Sequence, residues 1–202
     1  MIILNYSNII DPLLKDVRRF IVRFSEAKDR DKILDVCCGT GDQGFYFLKL
    51  KPKINFTGVD INPGMIKIAQ KRKDKFGFKN ISFLNIDAVK LPFANDSFDF
   101  ALISLGLHET EKKLRKLIIF EMKRVVKKNG FLIFVDFSSP LPKNIISLFI
   151  KTIEYSVDKE RFKEYLKSGG LPEILKDNKL NPKKTSFLMS GLINVTKVRN
   201  TK

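Results

Sequence analysis

The sequence predicts an α/β fold: a doubly wound, mostly parallel seven-stranded sheet closed by an antiparallel hairpin at its C-terminal end. Three observations predict it. Between residues 30 and 140, short apolar runs alternate with segments of helical period, the pattern of strands joined by crossover helices. Those runs do not alternate polar with apolar, as strands covered on both faces need not. After Pro142 the pattern changes, and two strand-like runs flank Ser190-Gly191, a hairpin signal.

In chain order, Asp11-Pro12 reads as an N-cap followed by proline at the first helical position. Leu13, Leu14, Val17, Phe20, Ile21 and Phe24 then recur at helical spacing, which predicts an amphipathic helix over 12–27. KILDVCC, ending in a Gly-Thr-Gly turn, is the first strand, and INFTGVD (54–60) is the second. A helix over about 63–75 precedes ISFLNID (81–87) and FDFALISL (98–105), the third and fourth strands. Residues 110–127 form a helix with Leu114, Leu117, Ile118, Met122 and Val125 inward, ended by Asn129-Gly130. FLIFVDF (131–137) is the fifth strand. Helical stretches at about 143–156 and 159–167 lead to Ser168-Gly169-Gly170, and 184–189 and 192–199 complete the hairpin. The chain is then one domain: a helical cap (1–30), a ligand-binding core (31–140), a helical substrate-side segment (141–180) and the hairpin (181–202).

Composition bounds the function classes. With 202 residues, 44% of them hydrophobic and 30% charged, the chain can bury a full core and is not a disordered one. No apolar run reaches the roughly 18–20 residues of a membrane span. The first residues show no basic stretch ahead of an apolar one, so no secretory signal is expected. Cys37 and Cys38, the two cysteines, are adjacent and cannot staple a fold, so a cytoplasmic location is expected. The net charge is +16, with runs at Lys67, Lys71, Arg72, Lys73, Lys75 and Lys79 and at Lys112, Lys113, Arg115 and Lys116. No run is interleaved with aromatic side chains as a base-stacking surface is, so a compositional origin is favoured over a nucleic-acid partner.

The chemistry concentrates at the first strand and its turn. Glycines after a buried strand let a ligand approach the backbone, and the next helix offers unpaired N–H groups. Asp60 ends the second strand, where a carboxylate can accept from both hydroxyls of a ribose, each charge-assisted bond contributing about 1.5–3 kcal/mol. Gly39-x-Gly41-x-x-Gly44 also fits the dinucleotide pattern. Asp35 argues against it, because an acid before the turn repels a pyrophosphate and suits a cationic ligand such as a sulfonium with an α-amino tail.

With these residues in view, the chain resembles the class I S-adenosylmethionine-dependent methyltransferases. ILDVCCGTGD is similar to their first motif and GVDINPGMI to the second-strand motif. NIDAVKLPFANDSFDFALISLGLHE resembles the third and fourth strands, and RVVKKNGFLIFVDFSSP the fifth. Within the class it is most similar to the type 11 group that includes the ubiquinone/menaquinone-biosynthesis C-methyltransferases. The resemblance implies a Rossmann-like fold and S-adenosyl-L-methionine as cofactor, S-adenosyl-L-homocysteine being the product. It also implies roles. Asp35 and the turn of Gly39, Thr40 and Gly41 hold the methionine part, with Cys37 a small packed thiol beside them. Asp60 binds the ribose, Ile61 and Met65 pack on the adenine, and Asp87 with the Ala88 backbone accepts from its amino group. Ser104 and Leu105 line the transferring methyl, and Tyr6 closes over the cofactor. No metal is expected.

His108, the single histidine, follows the fourth strand near the methyl position and is the candidate general base, with Glu109 a lesser helper. The segment Ser104-Leu105-Gly106-Leu107-His108 lacks the Asn/Asp-Pro-Pro-aromatic element of base-amino methylation. Neither cysteine is placed for cytosine C5 or arsenic chemistry. The expected acceptor is a small hydrophobic or aromatic molecule. The rival readings are an RNA- or protein-directed methyltransferase, a nicotinamide-dependent oxidoreductase and a non-catalytic cofactor binder.

Overall fold

The computed structural model describes residues 11–202. Its elements are α1 (Asp11–Leu13), α2 (Lys15–Ser25), β1 (Lys32–Val36), α3 (Asp42–Leu50), β2 (Asn55–Asp60), α4 (Pro63–Phe76) and β3 (Ile81–Asn85). They continue with β4 (Phe98–Ser104), α5 (Lys112–Val125), β5 (Val126–Phe137), α6 (Ile145–Lys167), α7 (Gly170–Asp177), β6 (Pro182–Leu188) and β7 (Ile193–Arg199). One seven-stranded sheet has the order β3-β2-β1-β4-β5-β7-β6. Strands β1 to β5 run parallel; β7 pairs antiparallel with β5 and with β6. Among the described residues no helix is long and apolar enough to cross a membrane.

The sequence dictates this locally. Ile33, Leu34, Val36, Ala101, Leu102, Ile103, Leu132, Ile133 and Phe134 are fully buried, so the central strands are apolar on both faces. The edge strand β6 begins with Pro182, Lys183 and Lys184, all exposed, a composition that resists pairing with another chain. Asn62 caps α4, its side chain accepting from the N–H groups of Gly64 and Met65, with Pro63 at the first helical position and Gly77 left-handed at the end. Three aromatic rings and three glycines set the spacing between the first helices and the sheet. A Cβ on Gly41 or Gly58 would meet the Phe83 ring at 2.4 and 2.7 Å, and one on Gly44 would meet Phe56 at 2.7 Å. Phe45 joins this packing, 5.6 Å from Phe83.

The expected topology is present, with local differences; Leu117, expected inward on α5, is half-exposed. Cys37 and Cys38 lie in the turn, so β1 ends at Val36. Asn129-Gly130 does not end a helix; α5 runs directly into β5, and the pair sits inside that strand. There the β4–β5 register jumps from Phe98↔Val126 to Phe100↔Phe131. Asn129 takes a left-handed φ of 66° and donates its N–H to Asn200 O, while Gly130 O accepts from Asn200 N–H. The signal for a helix stop is the same αL preference that serves a bulge. Helix α7 was not anticipated after Gly169-Gly170. Its Pro172 stands in the first turn, where a missing N–H costs nothing. The two stretches read at 143–156 and 159–167 form α6, interrupted at Asp158, whose backbone is extended (φ −151°, ψ 88°).

Candidate active site

The C-terminal ends of β1, β2 and β4 open into one cavity of about 350 Å³. It lies where the strand order reverses, with β2 on one side of β1 and β4 on the other, the place ligands take in open α/β sheets. Asp35, Cys37, Gly39, Thr40, Asp60, Ile61, Met65, Ser104 and Leu105 all line it, as the sequence led one to expect. Gly41 does not reach the wall. It turns the chain (φ 74°) and donates its N–H to Cys38 O. Asp87 is exposed, its Oδ1 accepting from Val89 N–H, and Ala88 is buried; neither is on the wall. Tyr6 lies outside the described residues.

The turn is built for close approach. Cys37, Gly39 and Gly41 all have left-handed φ (58°, 53° and 74°). A Cβ on Gly39 would meet no atom within 4 Å, so this backbone faces open space. Cys37 is packed, as expected, against Gly106, where an added Cβ would lie 2.9 Å from its own. Burial, then the charges of Asp60 and Asp35, push its thiol far above the ordinary range, so it is no nucleophile.

Asp60 ties the turn together. Its Oδ2 accepts from Gly39 N–H and its Oδ1 from Asn62 N–H, both at 2.8 Å. Each oxygen keeps a second lone pair for a ligand hydroxyl. Burial raises its pKa against the lowering effect of those two bonds. Asp35 is 2% exposed and its Oδ1 has no hydrogen-bond partner. Burial pushes its pKa up to about 8, with Arg18 opposing and Asp60 adding. An orphaned carboxylate oxygen beside a cavity is a vacancy for a donor.

Several wall residues escaped the sequence reading, Arg18 first among them. Arg18 of α2 is buried, donates to Ser104 Oγ at 2.8 Å and pairs with Asp42 at 3.8 Å. Arg72 of α4 also pairs with Asp42, so the start of α3 is held between two guanidinium groups. The signal was there: 14, 17, 18 and 21 form one helical stripe, and Arg18 fills an apolar position on it.

At its other end the wall is Leu105, Gly106, Glu109, Thr110, Val157 and Arg161. Glu109 reaches the cavity with its side chain half-exposed, and partial shielding from water, with the Glu154, Asp136 and Asp60 charges, holds its carboxyl above the usual range although His108 opposes this. His108 does not line the cavity. It is 2% exposed behind it, its Nδ1 2.6 Å from Asp136 Oδ1. Burial works against its imidazolium, but the Asp136 and Glu154 charges outweigh that and place its pKa well above the histidine range. Asp136 and Glu154 come from β5 and α6, and no motif linked them to His108.

The model of the ubiE/COQ5 methyltransferase family matches residues 12–158. A demethylmenaquinone methyltransferase from Bacillus velezensis is 35% identical over 120 residues, 59% of this chain and 51% of the relative. One from Listeria welshimeri is 26% identical over 177 residues, covering 79% and 74%. The chain thus spans about half the length of the first of these curated relatives. Among solved structures, a SAM-dependent methyltransferase from Aquifex aeolicus superposes with a TM-score of 0.69 at 19% identity, covering 90% of this chain and 88% of that one.

Proposed function

The chain belongs to the ubiE/COQ5 methyltransferase family, and from that premise we propose that it transfers the methyl group of S-adenosyl-L-methionine to a small hydrophobic aromatic acceptor, an isoprenoid quinone precursor. One observation carries this reading: Asp35 and Asp60 converge on a single cavity, one with an orphaned oxygen and the other with both oxygens anchored by backbone N–H groups. That donor set fits the cofactor. Asp60 would accept from ribose hydroxyls, Asp35 would face the α-ammonium group, and the bare Gly39 backbone would admit the chain between them. Met65 and Ile61, on the Asp60 side, would flank the adenine. Asp35 would repel a pyrophosphate in the same place, which disfavours a nicotinamide dinucleotide.

When bound, the cofactor supplies an electrophilic methyl on a sulfonium. The protein's part is alignment and the removal of a proton. Leu105 and Gly106 form the wall beside the expected methyl, and Glu109 is the carboxylate that reaches the cavity there. Its raised pKa suits a base that takes the acceptor's proton as the new carbon–carbon bond forms and the carbon–sulfur bond breaks. His108 serves this step as a positioning residue behind Glu109, in place of the direct base role that its place in the sequence suggested. The acceptor's quinone character is supported by the names of the curated relatives and by the apolar Leu105 and Val157 on the wall.

Titration calorimetry with S-adenosyl-L-homocysteine, with NAD as control, tests the cofactor. Binding of the first alone, weakened tens-fold or more in Asp60→Ala, is expected, given roughly 1.5–3 kcal/mol for each charge-assisted bond lost. Binding of NAD alone overturns the proposal. Labelled methyl transfer to a demethylated quinol then tests the acceptor.

A further inference from the structure

We propose that His108, Glu109 and Glu154 form a binding site for one divalent transition cation at the acceptor end of the cavity. Three donor atoms converge there. His108 Nε2 lies 3.3 Å from Glu154 Oε2 and 3.9 Å from Glu109 Oε1, and one donor atom from each residue falls within 4.8 Å of the others. Donors about 2.1 Å from a shared ion stand roughly 3.0–3.4 Å apart. Glu154 is therefore at ligand spacing already, and Glu109, whose side chain is half-exposed, needs to move by less than its own reach.

The second observation is the imidazole itself. His108 is almost fully buried, and its Nε2, 3.3 Å from Glu154 Oε2, makes no aligned hydrogen bond. The other ring nitrogen is fixed. Asp136 Oδ1 holds Nδ1, and Asp136 is itself held by the N–H groups of Leu107, His108 and Phe137. That is the carboxylate–histidine–metal arrangement, in which the outer carboxylate orients the ring and the ion takes the place of the proton on the inner nitrogen. The rings of Phe137, Phe162 and Tyr165 surround the imidazole and stop it from turning away.

One imidazole and two carboxylates suit Zn²⁺, Mn²⁺ or Fe²⁺ better than the all-oxygen cations Mg²⁺ and Ca²⁺. Glu109 also lines the cavity, so the unfilled coordination positions face the acceptor. A cation there polarises an acceptor hydroxyl, and Glu109, then a ligand, no longer serves as the free base. That role rests on the methyl-transfer reading; the site itself does not.

The test uses the whole chain, stripped with a chelator and titrated with Zn²⁺, Mn²⁺ and Co²⁺, the last followed by its visible absorption. One ion per chain is expected. It should be bound at least tenfold more weakly by Glu154→Gln, whose affinity for S-adenosyl-L-homocysteine stays that of the parent. No ion bound by the parent overturns the site, as does an affinity equal to the parent's in both Glu154→Gln and Glu109→Gln. Thiolate-to-cobalt absorption would put the ion on Cys37 and Cys38 and also overturn it. Stoichiometric Co²⁺ without binding of S-adenosyl-L-homocysteine supports the site and removes the methyl-transfer reading instead.

Discussion

Asp35 links the fold's stability to ligand binding through one proton. Its folded pKa of about 8 stands far above the ordinary aspartate value of 3.8. Between those two values the folded protein binds a proton that the unfolded chain has lost, so stability falls as pH rises from about 4 to 8. Asp35→Asn should melt no lower than the parent at pH 8, lose that part of the pH dependence, and bind S-adenosyl-L-homocysteine more weakly. Thermal melts and calorimetry at several pH values check this; a variant less stable at pH 8 and unchanged in binding would contradict it. In the parent, a ligand ammonium needs the ionised form, so affinity should climb with pH up to about 8, with proton release on binding below that. The two turn glycines separate binding from folding. Gly39→Ala adds a Cβ to open space and should cost about 1–2 kcal/mol for its left-handed backbone while strongly weakening the ligand. Gly41→Ala meets the Phe83 ring and should add roughly 1–3 kcal/mol of overpacking to the same backbone cost. Denaturant unfolding beside calorimetry ranks them. Asp35 and Gly39 were legible because they fall in one contiguous strand-and-turn stretch, and Asp60 because it ends the next strand. Arg18 was legible only as a charge in an apolar stripe. The carboxylates around His108 were not, since Asp136 and Glu154 reach it through tertiary folding alone.

At the scale of elements, strands and long helices read directly from their apolar periods, and the errors fall at irregularities. Asn129-Gly130 shows why. A left-handed residue followed by glycine ends helices and makes bulges alike, and the choice was made by pairing with Asn200, seventy residues further on. Gly130→Ala should therefore act on the sheet: its Cβ would lie 2.6 Å from Asp99 O, a backbone atom that cannot yield. A loss of about 1–3 kcal/mol in urea unfolding is expected, with S-adenosyl-L-homocysteine affinity retained. One hydroxyl ties helix α6 to both β5 and α7. Tyr165 Oη donates to Phe137 O in β5 and accepts from Leu171 N–H in α7. Tyr165→Phe leaves both backbone groups buried without a partner, and about 1–3 kcal/mol should be lost in the same experiment.

Across the whole molecule the +16 charge works against compaction, because like charges are brought closer on folding. Raising salt toward about 0.2 M shortens the Debye length to well under 10 Å and should raise the melting temperature; a flat response would mean that local ion pairs already offset the excess. The strand order carries a different consequence, for synthesis. Strand β7 sits inside the sheet, between β5 and β6. The edge of β5 that it covers is finished at Phe137, and β7 begins only at Ile193. On a ribosome adding roughly 5–20 residues per second, that edge stays bare for several seconds. A nascent chain stalled in that interval presents a long apolar strand edge, Phe131 to Phe137, to every neighbour, so translation pausing between the two strands is where this protein is most exposed to aggregation and most dependent on chaperones.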